Sequence, residues 1–396
     1  MNARRILIIA MGLVLVMALA ACGKSADNGG SAAEGAAVQA DAEKSADASG
    51  AQSGSEEAGA DDTTGGEEAA AAQTSDSKTD IAAGIPPWEG RDNEEISLTA
   101  GFAKGMTGIA NQFAVSKGWY EDAGIKLDFV DTINPVAAFG AGEVDIADGD
   151  PGTYIPAIVN GVKIKVVSNM WRSRGAYWII AKPEIKSFAD LKGKSVGSAM
   201  PVGGMPLTLM KVLSENGLDP KKDVTLVPNG VYQAAYATLE SGEVDATIIH
   251  QPFATLAEKE GKGTVLAKTW EFMPDYQTGV LVASEKLIDE QPEAVQRVLE
   301  VYFYANEYAK THMDEFIPWA AEYLGLDEAT AREAIESEIV LWENDPIVDP
   351  SRLQVTEDLL HEYGMQRDEI SVDGTVDNTF AEAVAKELKL GKYKAE

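Results

Sequence analysis

Several polar, glycine-containing turns of this sequence have residue types suited to binding a small solute. The richest of them, Asp148-Gly149-Asp150-Pro151-Gly152-Thr153, follows a short apolar run. Glycine lets a ligand approach the backbone closely, and Thr153 can cap a helix and offer a hydroxyl. Carboxylates suit a ligand with an amine or ring N–H donor, although Asp150 has an alternative role as a helix cap. We therefore predict ligand contacts from Asp148, Gly149, Asp150 and Thr153.

A second glycine-rich turn, Met200-Pro201-Val202-Gly203-Gly204-Met205, separates a predicted strand from a helix predicted at 206–216. Adjacent glycines at the start of a helix can form a backbone nest for an oxyanion. The turn lacks the lysine and Ser/Thr that end a P-loop, so it does not predict a nucleotide-phosphate site. We predict binding by Gly203, Gly204 and Met205, and by Gly105 and Met106 in a similar strand-to-helix turn.

Aromatic, basic and imidazole side chains supply the remaining candidates. Arg172 could hold a carboxylate, sulfonate or phosphate, and a ring could stack on Trp171. The alternative is a surface hairpin whose arginines pair with acidic residues. Tyr232, His250 and Phe253 follow predicted strands and complete the ligand-binding set, although a lone histidine often has a structural role.

The residue pattern does not favour catalytic or metal chemistry. The three histidines have no metal-ligand spacing, and the sequence has neither a Cys/His pair nor a recognisable Ser-His-Asp arrangement. We therefore expect no catalytic residue, no metal and no cofactor.

A duplicated tetrapeptide indicates the elements that position the candidate residues. Gly142-Glu143-Val144-Asp145 recurs one hundred residues later as Gly242-Glu243-Val244-Asp245. A helical stretch precedes each copy and a short apolar run follows it, which is typical of a helix, a glycine-capped turn and a buried strand. In open α/β sheets, ligands bind outside the carboxyl ends of the strands. The duplication thus predicts two similar lobes that face each other across a cleft.

Strand and helix patterns alternate through much of the chain and predict the α/β class. After residue 283 helical patterns dominate, at 292–311, 314–324, 328–342 and 356–363, and predict a helical C-terminal cover. Predicted strands lie at 96–100, 126–130, 163–167, 177–181, 195–197, 223–227 and 279–283, besides those of the two duplicated motifs.

The amino terminus predicts export and attachment to a membrane. Arg4 and Arg5 precede an apolar run, 6–21, that is too short for a membrane-spanning helix and is typical of a signal peptide at 1–21. Leu19-Ala20-Ala21-Cys22 resembles the lipobox of bacterial lipoproteins, which implies cleavage before Cys22 and lipidation of its thiol. We predict a lipid anchor on the extracytoplasmic face of the cell membrane, on the periplasmic side if the cell is Gram-negative.

Composition separates a tether from a folded head. Between Gly23 and Asp80 the sequence has thirteen acidic residues, three lysines and no aromatic residue, so it cannot form a packed core. We predict a disordered acidic tether at 22–84. All seven tryptophans lie after it. The formal net charge of −31 disfavours nucleic acid as a partner and fits a solvated acidic surface.

Several ordered motifs of the head resemble the solute-binding proteins of ABC importers, in the group that includes receptors for nitrate, sulfonates, taurine and thiamine-pyrimidine precursors. The similarity covers residues 96–320. It depends on the segment 114–125, on both Gly-Glu-Val-Asp copies, on the segment 188–197 and on Pro252-Phe253.

The resemblance implies a fold of the type II periplasmic binding proteins, in which two α/β lobes are joined by two crossing segments. The candidate crossing segments are 179–183 and 280–284. Lobe one then comprises 94–182 and 283–396, and lobe two comprises 183–282.

The resemblance also implies a binding protein that performs no reaction. We expect a monomer that delivers a small organic anion, similar to a sulfonate, taurine or nitrate, to an ABC permease and its ATPase. A thiamine-precursor pyrimidine or another heteroaromatic is the alternative ligand. Two other classes stay open: an enzyme, because related architectures occur in pyrimidine synthases and small-molecule lyases, and a receptor that signals to a sensor.

Overall fold

The computed structural model describes residues 79–130, 134–172 and 174–394. The predicted signal peptide, Cys22 and most of the predicted tether lie outside these ranges. Within the described residues, no helix combines the length and the apolar character needed to span a bilayer.

Two mixed β-sheets, each of five strands, form the centre of the described part of the chain. The strands are β1 (Ile96–Gly101), β2 (Ile125–Phe129), β3 (Ile146–Gly149), β4 (Ile164–Asn169), β5 (Trp178–Ala181), β6 (Ser195–Gly197), β7 (Thr225–Val227), β8 (Ala246–Ile249), β9 (Thr264–Lys268) and β10 (Val280–Ser284). The first sheet has the order β2-β1-β3-β10-β4, and the second has the matching order β7-β6-β8-β5-β9. The predicted two-lobed α/β fold is confirmed.

The chain passes between the lobes twice, before β5 and before β10. These two strands are fourth in the order of their sheets. β10 is antiparallel to β3 and β4, and β5 is antiparallel to β8 and β9. The crossings therefore lie at residues 170–177 and 269–279. The predicted crossing segments 179–183 and 280–284 are wrong, because their apolar residues are buried in paired strands. As a result, β5 belongs to lobe two and the whole of β10 belongs to lobe one.

Helices flank both sheets, and helices dominate the chain after β10, as the sequence predicts. They are α1 (Ile109–Ser116), α2 (Trp119–Asp122), α3 (Pro135–Ala141), α4 (Pro151–Val159), α5 (Gly204–Glu215), α6 (Gln233–Ser241), α7 (Phe253–Lys259), α8 (Glu285–Glu290), α9 (Pro292–Thr311), α10 (Met313–Leu324), α11 (Glu328–Glu338), α12 (Pro350–Glu362) and α13 (Thr379–Glu387). α9 begins with proline, has Glu293 in its first turn and has Lys310 in its last turn, which suits the helix dipole. It packs against α1 in the core of lobe one.

The duplicated tetrapeptides have matching structural roles in the two lobes. Gly142 and Gly242 end α3 and α6 in the left-handed conformation, with φ of 71° and 81°. Asp145 Oδ2 accepts a hydrogen bond from the Thr99 N–H at 2.9 Å, and Asp245 Oδ2 accepts one from the Ser195 N–H at 3.1 Å. Each carboxylate thus ties a turn to the neighbouring strand. Both motifs lie at the amino ends of their strands, away from the edge where ligands bind.

The segment before β1 packs on lobe one, which corrects the predicted boundaries of the tether and of that lobe. Asp80 caps a 3-10 helix, Ile81–Ala83, that contacts α9. Trp88 is buried at 4% exposure, and Arg91 Nη1 lies 2.8 Å from Glu300 Oε2. The folded part therefore includes residues 81–93, because the 3-10 helix contacts α9 and the Trp88 side chain is buried.

Candidate functional site

A cavity of about 450 Å³ lies between the lobes, beyond the carboxyl ends of β1, β3, β6 and β8. Open α/β sheets bind ligands in this position. Both lobes contribute to its wall, because the turns after these strands face each other. The predicted ligand-binding residues that line it are Asp148, Gly149, Asp150, Thr153, Arg172, Gly203, Gly204, Met205, Tyr232 and His250. Their contact with a solute stays a prediction.

Four other residues of the predicted set do not line the cavity. Met106 lies in the hydrophobic core of lobe one, and Trp171 is fully buried, with its Nε1–H donating to a backbone carbonyl at 3.0 Å. Gly105 donates its N–H to the Tyr323 hydroxyl at 3.1 Å. Phe253 packs on the core of lobe two. The apolar side chains of Met106, Trp171 and Phe253 thus turn towards the cores and away from the cleft.

Sequence reasoning missed several residues of the cavity wall. Thr107 belongs to the turn that suggested Gly105, so a polar residue beside that glycine was the available signal. No local signal marks Tyr177, because it lies in a crossing segment that strand pairing alone defines. The missed lining residues include Phe102, Tyr154, Tyr177 and Thr278. Four more lining residues lie in the candidate segments but were not chosen individually: Lys104, Thr107, Met170 and Val231.

Asp148 presents a buried carboxyl group at the end of β3. Its Oδ1 accepts the Ala103 N–H at 2.8 Å. Its Oδ2 has no hydrogen-bond partner among the described residues. Burial raises the pKa of Asp148 to about 7, although the Ala103 N–H and the charge of Arg172 oppose the rise. Near neutral pH this group is therefore available either as a carboxylate acceptor or as a protonated donor.

Arg172 lies in the first crossing and belongs to a buried network of side chains. Its Nη1 lies 2.8 Å from Glu338 Oε1, and its Nη2 donates to Thr107 Oγ1 at 3.1 Å. The guanidinium carbon lies 4.9 Å from the centroid of the Trp171 ring. The alternative for this segment, in which the arginines pair with acidic residues, is confirmed for the pairing. Its surface position is wrong for Arg172, whose side chain is buried. Burial raises the pKa of Glu338 to about 7, with Arg172 opposing the rise.

Aromatic rings form the wall on the side of lobe two. The Tyr232 ring stacks on the His250 ring at a centroid distance of 5.0 Å, and Tyr177 meets the same imidazole edge to face, also at 5.0 Å. Tyr232 donates to Thr107 Oγ1 at 2.8 Å, which joins the lobes across the cleft. Burial lowers the pKa of His250 to about 3, and Nδ1 has no partner among the described residues. The imidazole is therefore neutral at physiological pH.

Asp150 joins the amino ends of two helices from different lobes. It caps α4, with Oδ1 accepting the Gly152 N–H at 2.8 Å, which confirms the alternative role of Asp150 as a helix cap. The cap predicted at Thr153 is wrong, because Thr153 lies within the first turn of α4. Its Oδ2 accepts the Gly204 N–H at the start of α5. Burial raises the pKa of Asp150, and these two N–H groups oppose the rise. The predicted oxyanion nest at Gly203 and Gly204 thus already contacts a carboxylate of the chain itself.

Known proteins share this architecture. A Bacillus subtilis protein, provisionally named an aliphatic sulfonates-binding protein, is 28% identical over 289 residues, which are 70% of this chain and 85% of the relative. The alkanesulfonate-binding protein SsuA from Xanthomonas axonopodis pv. citri, solved bound to MOPS, has a TM-score of 0.59 at 20% identity and covers 72% of this chain and 99% of its own. The desulfurization enzyme DSZB has a TM-score of 0.53 at 18% identity and covers 73% and 99%. The structural likenesses show the fold.

Two α/β lobes with sheets of matching order, two crossings and a cavity between them define the type II class of periplasmic binding proteins. The chain belongs to the NMT1/THI5-like family, whose sequence model matches residues 109–316. The resemblance inferred from the sequence motifs is therefore confirmed.

Proposed function

We propose that this protein is the extracytoplasmic solute-binding component of an ABC importer. The family, the two lobes and the cavity between them support the proposal, as do relatives named for binding sulfonates. The lobes close on a small solute and present it to a permease, whose ATPase drives import. The binding energy comes from groups of both lobes, so the solute favours the closed form.

The buried Asp148 carboxyl carries the proposal about the ligand, which we infer to be a small planar molecule with N–H donors. Asp148 Oδ2 and His250 Nδ1 are buried acceptors without partners among the described residues, and leaving such groups unpaired is unfavourable. The rings of Tyr177 and Tyr232 suit a flat ligand. The charge of Arg172 is paired with Glu338. A heteroaromatic such as a thiamine-precursor pyrimidine has the required donors.

A small organic anion, which the sequence favoured, is the second candidate. Lys104 lines the cavity, and the B. subtilis relative and SsuA are named for sulfonates. Two carboxyl groups, Asp148 and Asp150, line the same cavity, and like charges repel. The donor ligand and the anionic ligand therefore lead to opposite predictions for the pH dependence of binding.

Affinity for a donor solute should rise between pH 5.5 and 7, by up to about tenfold per pH unit, and level off above pH 7. An N–H donor binds the carboxylate form of Asp148, and this group loses its proton near pH 7. An anionic solute binds when Asp148 is protonated, so the affinity for the anion should fall as the pH rises through 7. Calorimetric titration with an aminopyrimidine and with methanesulfonate at several pH values measures both.

Asp148→Asn is the control for that titration, because an amide keeps the shape of the side chain and does not titrate. The pH dependence should flatten in this variant. Affinity for the aminopyrimidine that falls with rising pH in the parent chain would contradict the donor-ligand proposal.

An enzyme of the same fold is the competing class, since DSZB shares the architecture. The two classes differ in the fate of the solute. A binding protein returns the solute unchanged after prolonged incubation, whereas an enzyme converts it, and mass spectrometry of the released solute distinguishes them.

We also propose that Cys22 carries the lipid anchor. Replacing Cys22 by serine should move the protein from the membrane fraction to the soluble fraction, because the acylated thiol would be its attachment. Affinity for the solute should not change, since Cys22 precedes the folded part by the whole predicted tether. Cell fractionation followed by immunoblotting measures the shift, and a variant that stays in washed membranes would contradict the anchor.

A further inference from the structure

The amino end of α5 has the features of an oxyanion site. α5 is 12 residues long and has no side-chain cap of its own at Gly203, so its first N–H groups need partners from elsewhere. These N–H groups and the helix dipole favour negative charge. Gly203 has φ of 122°, which glycine adopts without strain. The amino end of α5 faces the cavity, since Gly203, Gly204 and Met205 line it.

The carboxylate of Asp150 occupies this position from the opposite lobe. Its Oδ2 accepts the Gly204 N–H while its Oδ1 caps α4, so one carboxylate lies between two helix amino ends. A Cβ atom at Gly204 would lie 2.7 Å from Asp150 Oδ2, which is closer than side-chain contacts allow. The contact therefore requires glycine on one side and a short carboxylate on the other.

Tyr276 supplies an independent sign that this place suits an oxyanion. Its side chain comes from the second crossing, is only 2% exposed, and has a hydroxyl without a hydrogen-bond partner among the described residues. Both tyrosine hydroxyls lie close to Gly204. A Cβ atom built at Gly204 would lie 3.1 Å from the Tyr276 hydroxyl and 3.4 Å from the Tyr177 hydroxyl. The site thus has a buried O–H donor that Asp150 leaves unused, whereas a sulfonate or sulfate has oxygens for both Tyr276 and the Gly204 N–H.

We propose that Asp150 determines the charge of the ligand that the cleft accepts: its carboxylate is an intramolecular occupant of the oxyanion site at the amino end of α5, and it excludes anionic groups of solutes from that site. The same contact joins the lobes, so Asp150 also favours the closed form. The inference rests on the proposed function only in taking this cleft as the place where solutes bind.

Asp150→Ser tests the inference directly. Serine can still cap α4 but has no carboxylate to reach α5. The probe is methanesulfonate, with sodium chloride at equal ionic strength as the reference, measured by calorimetry and thermal shift at pH 7. In the parent, burial and the nearby charge of Asp150 raise the pKa of the Glu357 carboxyl to about 8. We expect the variant to bind methanesulfonate at least about tenfold more tightly than the parent, the change expected from gaining one charge-assisted hydrogen bond.

Asp349→Ser is the matched control. Asp349 caps α12 in the same Asp-Pro context and accepts the Ser351 N–H, yet it does not line the cavity. This variant makes the same Asp→Ser change at a comparable helix cap and should gain no affinity for methanesulfonate. The double variant Asp150→Ser/Tyr276→Phe should lose part of the gain, because the sulfonate then lacks the tyrosine donor. If Asp150→Ser does not fold, Asp150→Gly replaces it, since glycine is tolerated at a helix N-cap and has no side chain that reaches α5.

Equal binding of methanesulfonate by the parent and by a folded Asp150 variant would overturn the inference. So would an equal gain in Asp349→Ser. The test does not use the natural solute, so it separates this inference from the proposed ligand class. A parent chain that binds no N–H donor, together with an Asp150→Ser variant that gains methanesulfonate binding, would support the role of Asp150 and contradict only the proposed donor ligand.

Discussion

Replacing Arg172 by alanine should lower the free energy of unfolding by about 3–5 kcal/mol, because the change leaves a buried carboxyl group without its partner. The side chains of Arg172 and Glu338 are 6% and 0% exposed. Without the arginine, the folded-state pKa of Glu338 rises further above its unfolded value, so stability falls as the pH rises from 5 to 8. The loss should therefore be smaller at pH 5 than at pH 8. Urea unfolding followed by circular dichroism at both pH values measures it.

Arg174→Ala is the matched control for this prediction. Arg174 Nε lies 2.8 Å from Glu343 Oε1, but these side chains are 27% and 33% exposed. Such a pair contributes about 1 kcal/mol or less. The double variant Arg172→Met/Glu338→Leu should recover most of the loss, because it removes both buried charges. If Arg172→Ala unfolds at the same urea concentration as Arg174→Ala and loses only solute affinity, Arg172 is a ligand clamp and not a structural ion pair.

Trp88→Ala should also cost about 3–5 kcal/mol, because it leaves a large cavity in the core of lobe one. The Trp88 ring lies edge to face with Tyr304 at a centroid distance of 5.0 Å and lies 6.4 Å from the ring of Trp119. The sequence placed the start of lobe one at residue 94, after this tryptophan. Differential scanning calorimetry of the variant and the parent measures the difference in melting temperature and unfolding enthalpy.

Two controls show whether the loss belongs to Trp88 itself. Deleting residues 23–78 should leave the melting temperature almost unchanged, because the composition of that stretch cannot form a packed core. Val340→Ala should have a small effect, since Val340 is 65% exposed. A melting temperature for Trp88→Ala equal to that of the deletion variant would show that the segment before β1 adds no stability.

Long or strongly apolar elements follow from the sequence because their signals are local. Helix α9 has the predicted bounds, and Gly142 and Gly242 end their helices as expected, since a helix end depends on residues within about one turn. β9 was missed because the sequence of this short edge strand, Thr264–Lys268, does not alternate between apolar and polar residues. α13 was also missed, and the predicted helix 328–342 ends as an α-helix at Glu338.

The candidate site was predicted only in part, because its turns are local features and its contacts are not. The turns after β1, β3, β6 and β8 carry the signals of glycine and polar residues, and most of the residues chosen there line the cavity. Which side chain of a turn faces the cleft depends on how the lobe core packs. Met106 and Trp171 were therefore assigned to the ligand but belong to the core.

Short-range patterns were sufficient for the α/β class, the two similar lobes and the membership of the binding-protein family, since each depends on the order of residues along a few turns or strands. The tertiary structure alone reveals the partner of each charged group. Asp150 meets Gly204 across 54 positions, and Arg172 meets Glu338 across 166. No periodicity links such distant residues, because their proximity depends on strand pairing and on the way the two lobes face each other. The folded arrangement then decides the chemistry of these groups. Arg172 is paired with Glu338 within the protein, and burial raises the pKa of Asp148 to near neutrality. The carboxylate of Asp150 contacts Gly204 in the nest that the sequence predicts for an anion.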